Sequence, residues 1–239
     1  MFKAENILNS KIVAIKQFKE TNDDIEVKIR KVRKISMREI RLLTELRHQN
    51  IVNLLEVFKY KEKINMIFEY VPFTALELLE KSPKGLSPLM VKKIIFQLTL
   101  AIDFLHSMNV MHRDIKPENL LISKHGVLKL CDFGFARYQL MNNDALYTEY
   151  ISTRWYRAPE LIIGEVNYNY SIDIWALGCI VCELSNGQPL FPGKCDIEMI
   201  TFILSTLGNY IEQKDYEAFI KNEFIGKCKV LFIRLAMLI

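Results

Sequence analysis

With 32 basic against 28 acidic residues in 239, the chain carries a formal net charge of only +4. That is too mild to argue for a nucleic-acid or membrane-surface partner. Half of the residues are hydrophobic, enough for a substantial core, yet no run approaches the ~18 apolar residues of a membrane span. The final VLFIRLAMLI is apolar but short, and Arg234 breaks it. The five cysteines, Cys131, Cys179, Cys182, Cys195 and Cys228, are scattered and odd in number. With no secretory signal in view, a reducing cytosol or nucleus is the expected location.

The first seventy residues mix strand and helix. Lys11–Phe18 alternates as a strand does, Ile25–Leu46 is rich in helix formers, and Ile51–Tyr60 and Lys63–Tyr70 are β-branched or aromatic. After Val71-Pro72 the pattern lengthens into helices. Ser87 with Pro88 reads as a helix start. Val91, Ile94, Leu98, Ile102 and Leu105 then mark one apolar face down to Ser107. Two short strands, Leu120–Ser123 and Val127–Cys131, interrupt a loop-like stretch, and Ser171–Ser185 reads as a buried helix stopped by Gly187. The Cys179-x-x-Cys182 pair lies inside that helix without a second Cys or His pair, so ordinary packing is expected of it. His48, His106 and His125 have no metal-like spacing and are read as structural. KIRKVRK, Lys28 to Lys34, is read as a solvated helix entrance rather than a localisation or RNA-binding signal.

The stretch HRDIKPENLLISKHGVLKLCDFG, His112 to Gly134, carries the chemistry. In it Asn119 follows Asp114 by five positions and Asp132 follows by 18. A catalytic carboxylate, a hard amide-oxygen ligand and a second carboxylate at this spacing suit phosphoryl transfer, where the charge on ATP must be neutralised by Mg²⁺. Val13-Ala14-Ile15-Lys16, Phe68-Glu69-Tyr70-Val71, Ala158-Pro159-Glu160 and Asp173 complete the set.

On these motifs the chain resembles the eukaryotic protein kinases from Val13 to about Gly208. Lys116 and Thr153 match the serine/threonine type. Thr153-Arg154-Trp155-Tyr156-Arg157-Ala158-Pro159-Glu160 is shared with the cyclin-dependent and mitogen-activated kinases, Thr148-Glu149-Tyr150 resembles the dual phosphorylation site of the mitogen-activated group, and the combination is most similar to the cyclin-dependent kinase-like family. The resemblance implies a bilobal α+β fold, with a small lobe at about 1–70, a helical lobe at about 71–208 and a divergent segment at 209–239. It implies Mg-ATP in the cleft, with Asp114 as the catalytic base and Lys116 on the transferring phosphate. Lys16 is expected to be held by Glu39 on the α- and β-phosphates, Asn119 and Asp132 to bind Mg²⁺, and Thr153 to brace Asp114. Ala14, Phe68, Glu69, Val71, Glu118 and Leu121 complete the nucleotide-contacting set, and Asp173 is expected to tie down the catalytic-loop backbone.

Thr148 and Tyr150 are implied phosphate acceptors for an upstream kinase, with Arg113 the partner of the first and Arg154 and Arg157 of the second. Where a cyclin-binding kinase carries a PSTAIRE-type helix, this chain reads KISMREI, so a cyclin is not expected. Protein substrates bearing Ser or Thr are. Cys131 is expected as a packing residue at the back of the pocket.

Aligned on VAIK, the family's second strand falls near Phe2-Lys3-Ala4. The expectation is therefore a small lobe without its first strand or glycine-rich loop, and a helical lobe without its last helices, leaving Glu160 without an evident partner. Two functional classes follow. The intact catalytic set favours an active kinase. The missing lid favours a binding or decoy protein that transfers phosphate poorly.

Overall fold

The computed structural model describes residues 1–18, 37–61, 63–139 and 154–208. Thr148, Tyr150, Thr153, the KIRKVRK run, the first part of the expected helix Ile25–Leu46 and the terminal segment lie outside them.

Strands β1 (Phe2–Glu5), β2 (Ile12–Gln17), β3 (Leu54–Tyr60) and β4 (Lys63–Glu69) form one antiparallel sheet in the order β1-β2-β4-β3. The β1–β2 turn is built by asparagines. The Asn6 side chain accepts from Leu8 N–H at 2.9 Å and the Asn9 side chain from Lys11 N–H at 3.0 Å, which offers the backbone a turn in place of a ladder. The register sets Ala14 opposite Phe68 and Lys16 opposite Met66. Helix α1 (residues 37–45) lays Leu42, Leu43 and Leu46 into the core beneath this sheet.

Beyond the sheet come β5 (Phe73–Thr74) and α2 (Ala75–Glu80). α2 opens with a reciprocal cap, in which Thr74 Oγ1 accepts from Glu77 N–H at 3.1 Å and Glu77 Oε2 accepts from Thr74 N–H at 3.0 Å. Helix α3 (Pro88–Ser107) begins and ends where the sequence predicts, with Ile94, Leu98, Ile102 and Leu105 buried. The Ser87 hydroxyl makes no cap bond; its carbonyl takes the Val91 N–H at 3.0 Å. Strands β6 (Val110–Met111), β7 (Leu120–Ile122), β8 (Leu128–Leu130) and β9 (Arg137–Tyr138) follow, with β5-β7-β8 forming one small sheet and β6-β9 another.

After α4 (Pro159–Ile162), α5 (Ser171–Asn186) runs through the core. It ends at Gly187, whose φ of 78° lets its N–H reach the Glu183 carbonyl at 2.7 Å. Helix α6 (Asp196–Leu207) packs on α4. One apolar cluster runs from Leu42, Met66 and Phe68 through Leu98, Leu120 and Phe133 to Ile180 and Leu184. Each such side chain contributes roughly 1.5–3 kcal/mol by leaving water, so the sheet and the helices share one core and hold the groups between them in fixed relation.

Candidate active site

The floor of the site is the loop after β6. Its backbone is held from below by α5. Asp173, fully buried at 1% exposure, accepts from His112 N–H at 2.9 Å and from Arg113 N–H at 2.8 Å, and meets His106 Nε2 at 3.0 Å. Satisfying both amides lets Arg113 adopt a φ of 71°, a conformation that costs of order 1–3 kcal/mol where nothing compensates it. His112 Nδ1 accepts the Asp114 N–H at 3.3 Å while Nε2 donates to the Cys131 carbonyl at 3.0 Å. Its ring meets Phe133 edge-on at 4.8 Å.

That framework presents Asp114, whose carboxylate meets Lys116 Nζ at 3.0 Å. The 3-10 turn Pro117–Asn119 brings Asn119 back. Its amide donates to the Asp114 carbonyl at 2.7 Å and to Asp114 Oδ2 at 3.0 Å. Both donors are thus spent, which leaves the amide oxygen, a hard ligand, for a cation.

The opposite wall is built around Lys16. Its ammonium meets Glu39 at 2.7 and 2.9 Å and Asp132 Oδ1 at 3.0 Å. Burial alone would lower the Lys16 pKa; the two carboxylates reverse that and hold it above its ordinary 10.5. For Asp132, burial works upward, but Lys16 and then His112 bring its carboxyl below the usual range. Glu39, at 1% exposure, goes the other way, because burial outweighs Lys16. One cation between two carboxylates leaves a net negative charge, and Asp132 is its more exposed end, at 41% against 1% for Glu39. Asp132 sits at φ 63°, turned so that Phe133 is buried behind it. Among the described residues no three His, Cys, Asp or Glu cluster as a self-sufficient metal cage. Asp132 and Asn119 therefore suit an ion such as Mg²⁺ that takes its other ligands from phosphates and water.

Ala14 and Phe68 face each other across β2 and β4, Phe68 buried and Ala14 partly so. Glu69 is committed to the framework. Its N–H donates to the Asn53 carbonyl at 3.2 Å, and its carboxylate accepts from Asn53 N–H at 2.8 Å and pairs with Lys129 at 2.9 Å. Just past β4, the Val71 N–H has no partner among the described residues. Leu121 lies half-buried on β7. Glu118 is half-buried on the turn before Asn119, with one carboxylate oxygen buried without a hydrogen bond, and its charge adds to the upward shifts of Tyr156 and Glu183. Cys131 is half-buried behind Asp132, and burial with the neighbouring carboxylate pushes its thiol up to about 12. That leaves it a packing residue rather than a nucleophile.

Two residues escaped the motif reading. Arg38 and Arg137 gather with Arg113. Burial, then Arg38 and Arg113, bring the Arg137 pKa down to about 10, and burial followed by Arg113 lowers Arg38. The three guanidiniums repel one another, and Arg113 also lies over the Tyr168 ring at 5.5 Å while Arg137 donates to the Ala136 carbonyl at 2.6 Å. The signals were in plain sight, one arginine just before Glu39 and another closing the DFGFAR run. Arg154 and Arg157 both turn to Asp196, at 2.9 and 4.0 Å. Glu160, expected to lack a partner, accepts from the Ser171 hydroxyl at 3.1 Å.

The protein kinase domain family matches residues 1–228, a wider span than the quoted motifs cover. Cyclin-dependent kinase-like 4 of Mus musculus is 48% identical over 224 residues, which are 94% of this chain and 63% of that protein. Cyclin-dependent kinase-like 2 of Rattus norvegicus is 51% identical over 222 residues, 93% of this chain and 42% of that protein. Cyclin-dependent kinase-like 1 of Caenorhabditis elegans is 45% identical over 224 residues, 94% of this chain and 61% of that protein. The chain thus spans less than two thirds of the length of these curated relatives. With the fold, the Lys16–Glu39–Asp132 wall and the Asp173-anchored floor in place, the match settles the family: this chain belongs to the protein kinases and is similar to their cyclin-dependent kinase-like members.

Proposed function

We propose that this chain is a protein serine/threonine kinase that transfers the γ-phosphate of Mg-ATP to protein hydroxyls. The observation that carries the reading is Lys16 suspended between Glu39 and Asp132, facing a loop on which Asp114, Lys116 and Asn119 are already in mutual contact. Bound Mg-ATP supplies the transferable phosphoryl group and neutralises the charge that develops on it. Lys16, aimed by Glu39, orients the α- and β-phosphates. Asp132 and the Asn119 oxygen hold the metal. Asp114 orients the substrate hydroxyl and takes its proton as the new P–O bond forms and the bond to the departing diphosphate breaks. Lys116 balances the charge of the moving phosphoryl group. Because positions are set before substrate arrives, most of the acceleration comes from alignment and fixed charge.

Regulation is read from the arginines. A phosphate on Thr148, added by an upstream kinase, would be received by Arg113 together with Arg38 and Arg137. One on Tyr150 would compete with Asp196 for Arg154 and Arg157. No cyclin is required in this reading, and the cytosol or nucleus is its setting.

The test uses the purified protein phosphorylated on Thr148 and Tyr150, with labelled Mg-ATP and phosphoamino-acid analysis of a mixed protein substrate. Label should reach serine or threonine. Asp114→Asn should lower transfer roughly 10²–10⁴-fold while leaving nucleotide affinity in place. Undiminished turnover in that variant would remove Asp114 from its role, and no transfer by the parent protein would remove the reading itself.

A further inference from the structure

Tyr138 closes β9, six residues after Asp132. The residue is 39% exposed, and its phenol donates to Glu45 Oε2 at 2.5 Å. Glu45 is the last residue of α1, so this single contact joins two segments 93 residues apart. The other carboxylate oxygen of Glu45 faces Arg41 Nε, one turn back, at 3.6 Å. The contact is not needed to bury anything. Leu42, Leu43 and Leu46 already seat α1 against the core, and Arg47 reaches the Leu54 carbonyl at 3.3 Å.

The apolar seat fixes which face of α1 turns inward, but it resists a small roll about the helix axis less sharply than a hydrogen bond does. Burial of leucines is non-directional, whereas hydrogen bonds fall off steeply with angle. Among the described residues α1 is fastened from outside at two side chains, Glu39, which also takes the Phe133 backbone N–H, and Glu45. Glu39 grips Lys16 on β2, and Glu45 is gripped by Tyr138 on β9. Glu39 and Glu45 are six residues apart, so they leave the helix in different directions. Rolling α1 far enough to free one of them strains the other. The second fastening also ties α1 to the strand that follows Asp132 and Phe133, the very stretch that supplies the third member of the Lys16 cluster.

We infer that Tyr138 is a positioning residue: its hydroxyl, through Glu45, holds α1 at the rotation from which Glu39 reaches Lys16. It touches neither nucleotide nor substrate. The inference rests on the kinase reading only for its activity readout.

The experiment compares the whole protein with Tyr138→Phe, which keeps the ring and removes the donor, with Glu45→Leu, which removes the acceptor, and with Glu45→Gln, which keeps one. Amide hydrogen exchange over residues 37–45 is the primary measurement. Exchange there should quicken by about 3–10-fold in Tyr138→Phe and in Glu45→Leu, the range of one ordinary net hydrogen bond. Glu45→Gln should stay near the parent protein, and the double variant Tyr138→Phe/Glu45→Leu should be no worse than either single change. In turnover Tyr138→Phe and Glu45→Leu should raise KM for Mg-ATP more than they lower kcat, because Lys16 serves the nucleotide. Parent-like exchange in Tyr138→Phe, or additive effects in the double variant, would overturn the inference. If the parent protein transfers no phosphate, the kinase reading falls while the exchange comparison still decides the role of Tyr138. If the parent turns over and Tyr138→Phe matches it in exchange and KM, the positioning role alone falls.

Discussion

The two walls of the cleft are built on different principles. The floor, from His112 to Asn119, is fastened by short hydrogen bonds to backbone, with Asp173 beneath it and the Asn119 amide closing it. Its charges are supported by a helix that is itself buried. The opposite wall hangs on the ends of long side chains. Lys16 must reach across to Glu39 and Asp132, and the helix carrying Glu39 is seated on leucines that fix its inward face but resist a small roll only weakly. A floor of this kind is set once, at folding. A wall of this kind can be made and unmade, and it is where a control input has the most leverage. The arginine cluster sits at that junction, with Arg38 on α1, Arg137 on β9 and Arg113 on the floor loop.

The largest expected effect tests the floor. Asp173→Ala strands the His112 and Arg113 amides in a buried site and removes the partner of His106. At roughly 1–3 kcal/mol for each orphaned group, the cost is about 3–5 kcal/mol, measurable as a fall in the urea midpoint together with a loss of turnover. Asp173→Asn keeps one acceptor oxygen and should fall between. If Asp173→Ala unfolded at the parent midpoint, the floor would not be the pre-set half.

Lys16→Met tests the other wall and should separate activity from stability. Transfer should drop on the order of 10²–10³-fold, the scale of losing one positioned charge at the reacting phosphates. Stability should respond to pH. Glu39 is held above its ordinary 4.5 because burial outweighs Lys16. A carboxyl raised in the folded state stabilises that state only while protonated, and the contribution is lost as pH rises through the folded value. Without Lys16, Glu39 rises further and Asp132 loses the charge that lowers it. The stability gap between parent and Lys16→Met should therefore be wider at pH 8 than at pH 5, read from urea midpoints at both. Equal gaps would mean that water reaches Glu39 and that this wall is looser than its burial implies.

The floor was also the more legible half in the sequence. Asp114, Lys116 and Asn119 lie in one continuous run, where spacing alone fixes the relation between residues. α3 and α5 were legible for a related reason: their apolar faces repeat at helical period and are bounded by Pro88 and Gly187. The short α2 was not, although Thr74 and Glu77 carry its capping box in plain view, because six residues give no periodicity to read. α4 and α6 went unread as well. The arginine cluster was missed because its members come from three separate segments, and convergence of that kind is a property of the packed core. Glu118 is a related case: its place in the motif says nothing of its side chain, whose charge is felt by Tyr156 and Glu183. A motif fixes where the backbone passes and leaves the direction of the side chain to its neighbours.

The smallest expected effect lies at the joint between the two walls. Glu69 closes β4 just ahead of the Val71 amide, and Lys129 on β8 holds its carboxylate at 2.9 Å. Lys129→Met keeps the aliphatic stem and removes the charge. Glu69 retains the Asn53 N–H, so its carboxylate is not orphaned, and the pair is partly open to water, where such bridges contribute about 0.2–1 kcal/mol. The stability loss should be at most about 1 kcal/mol on that scale. If the joint only links the walls, kcat should hold while nucleotide affinity weakens by about 2–5-fold, the factor that a loss of this size allows. A larger fall in kcat than in affinity would mean that the joint sets the angle between the walls, and that the floor is not independent of what hangs above it.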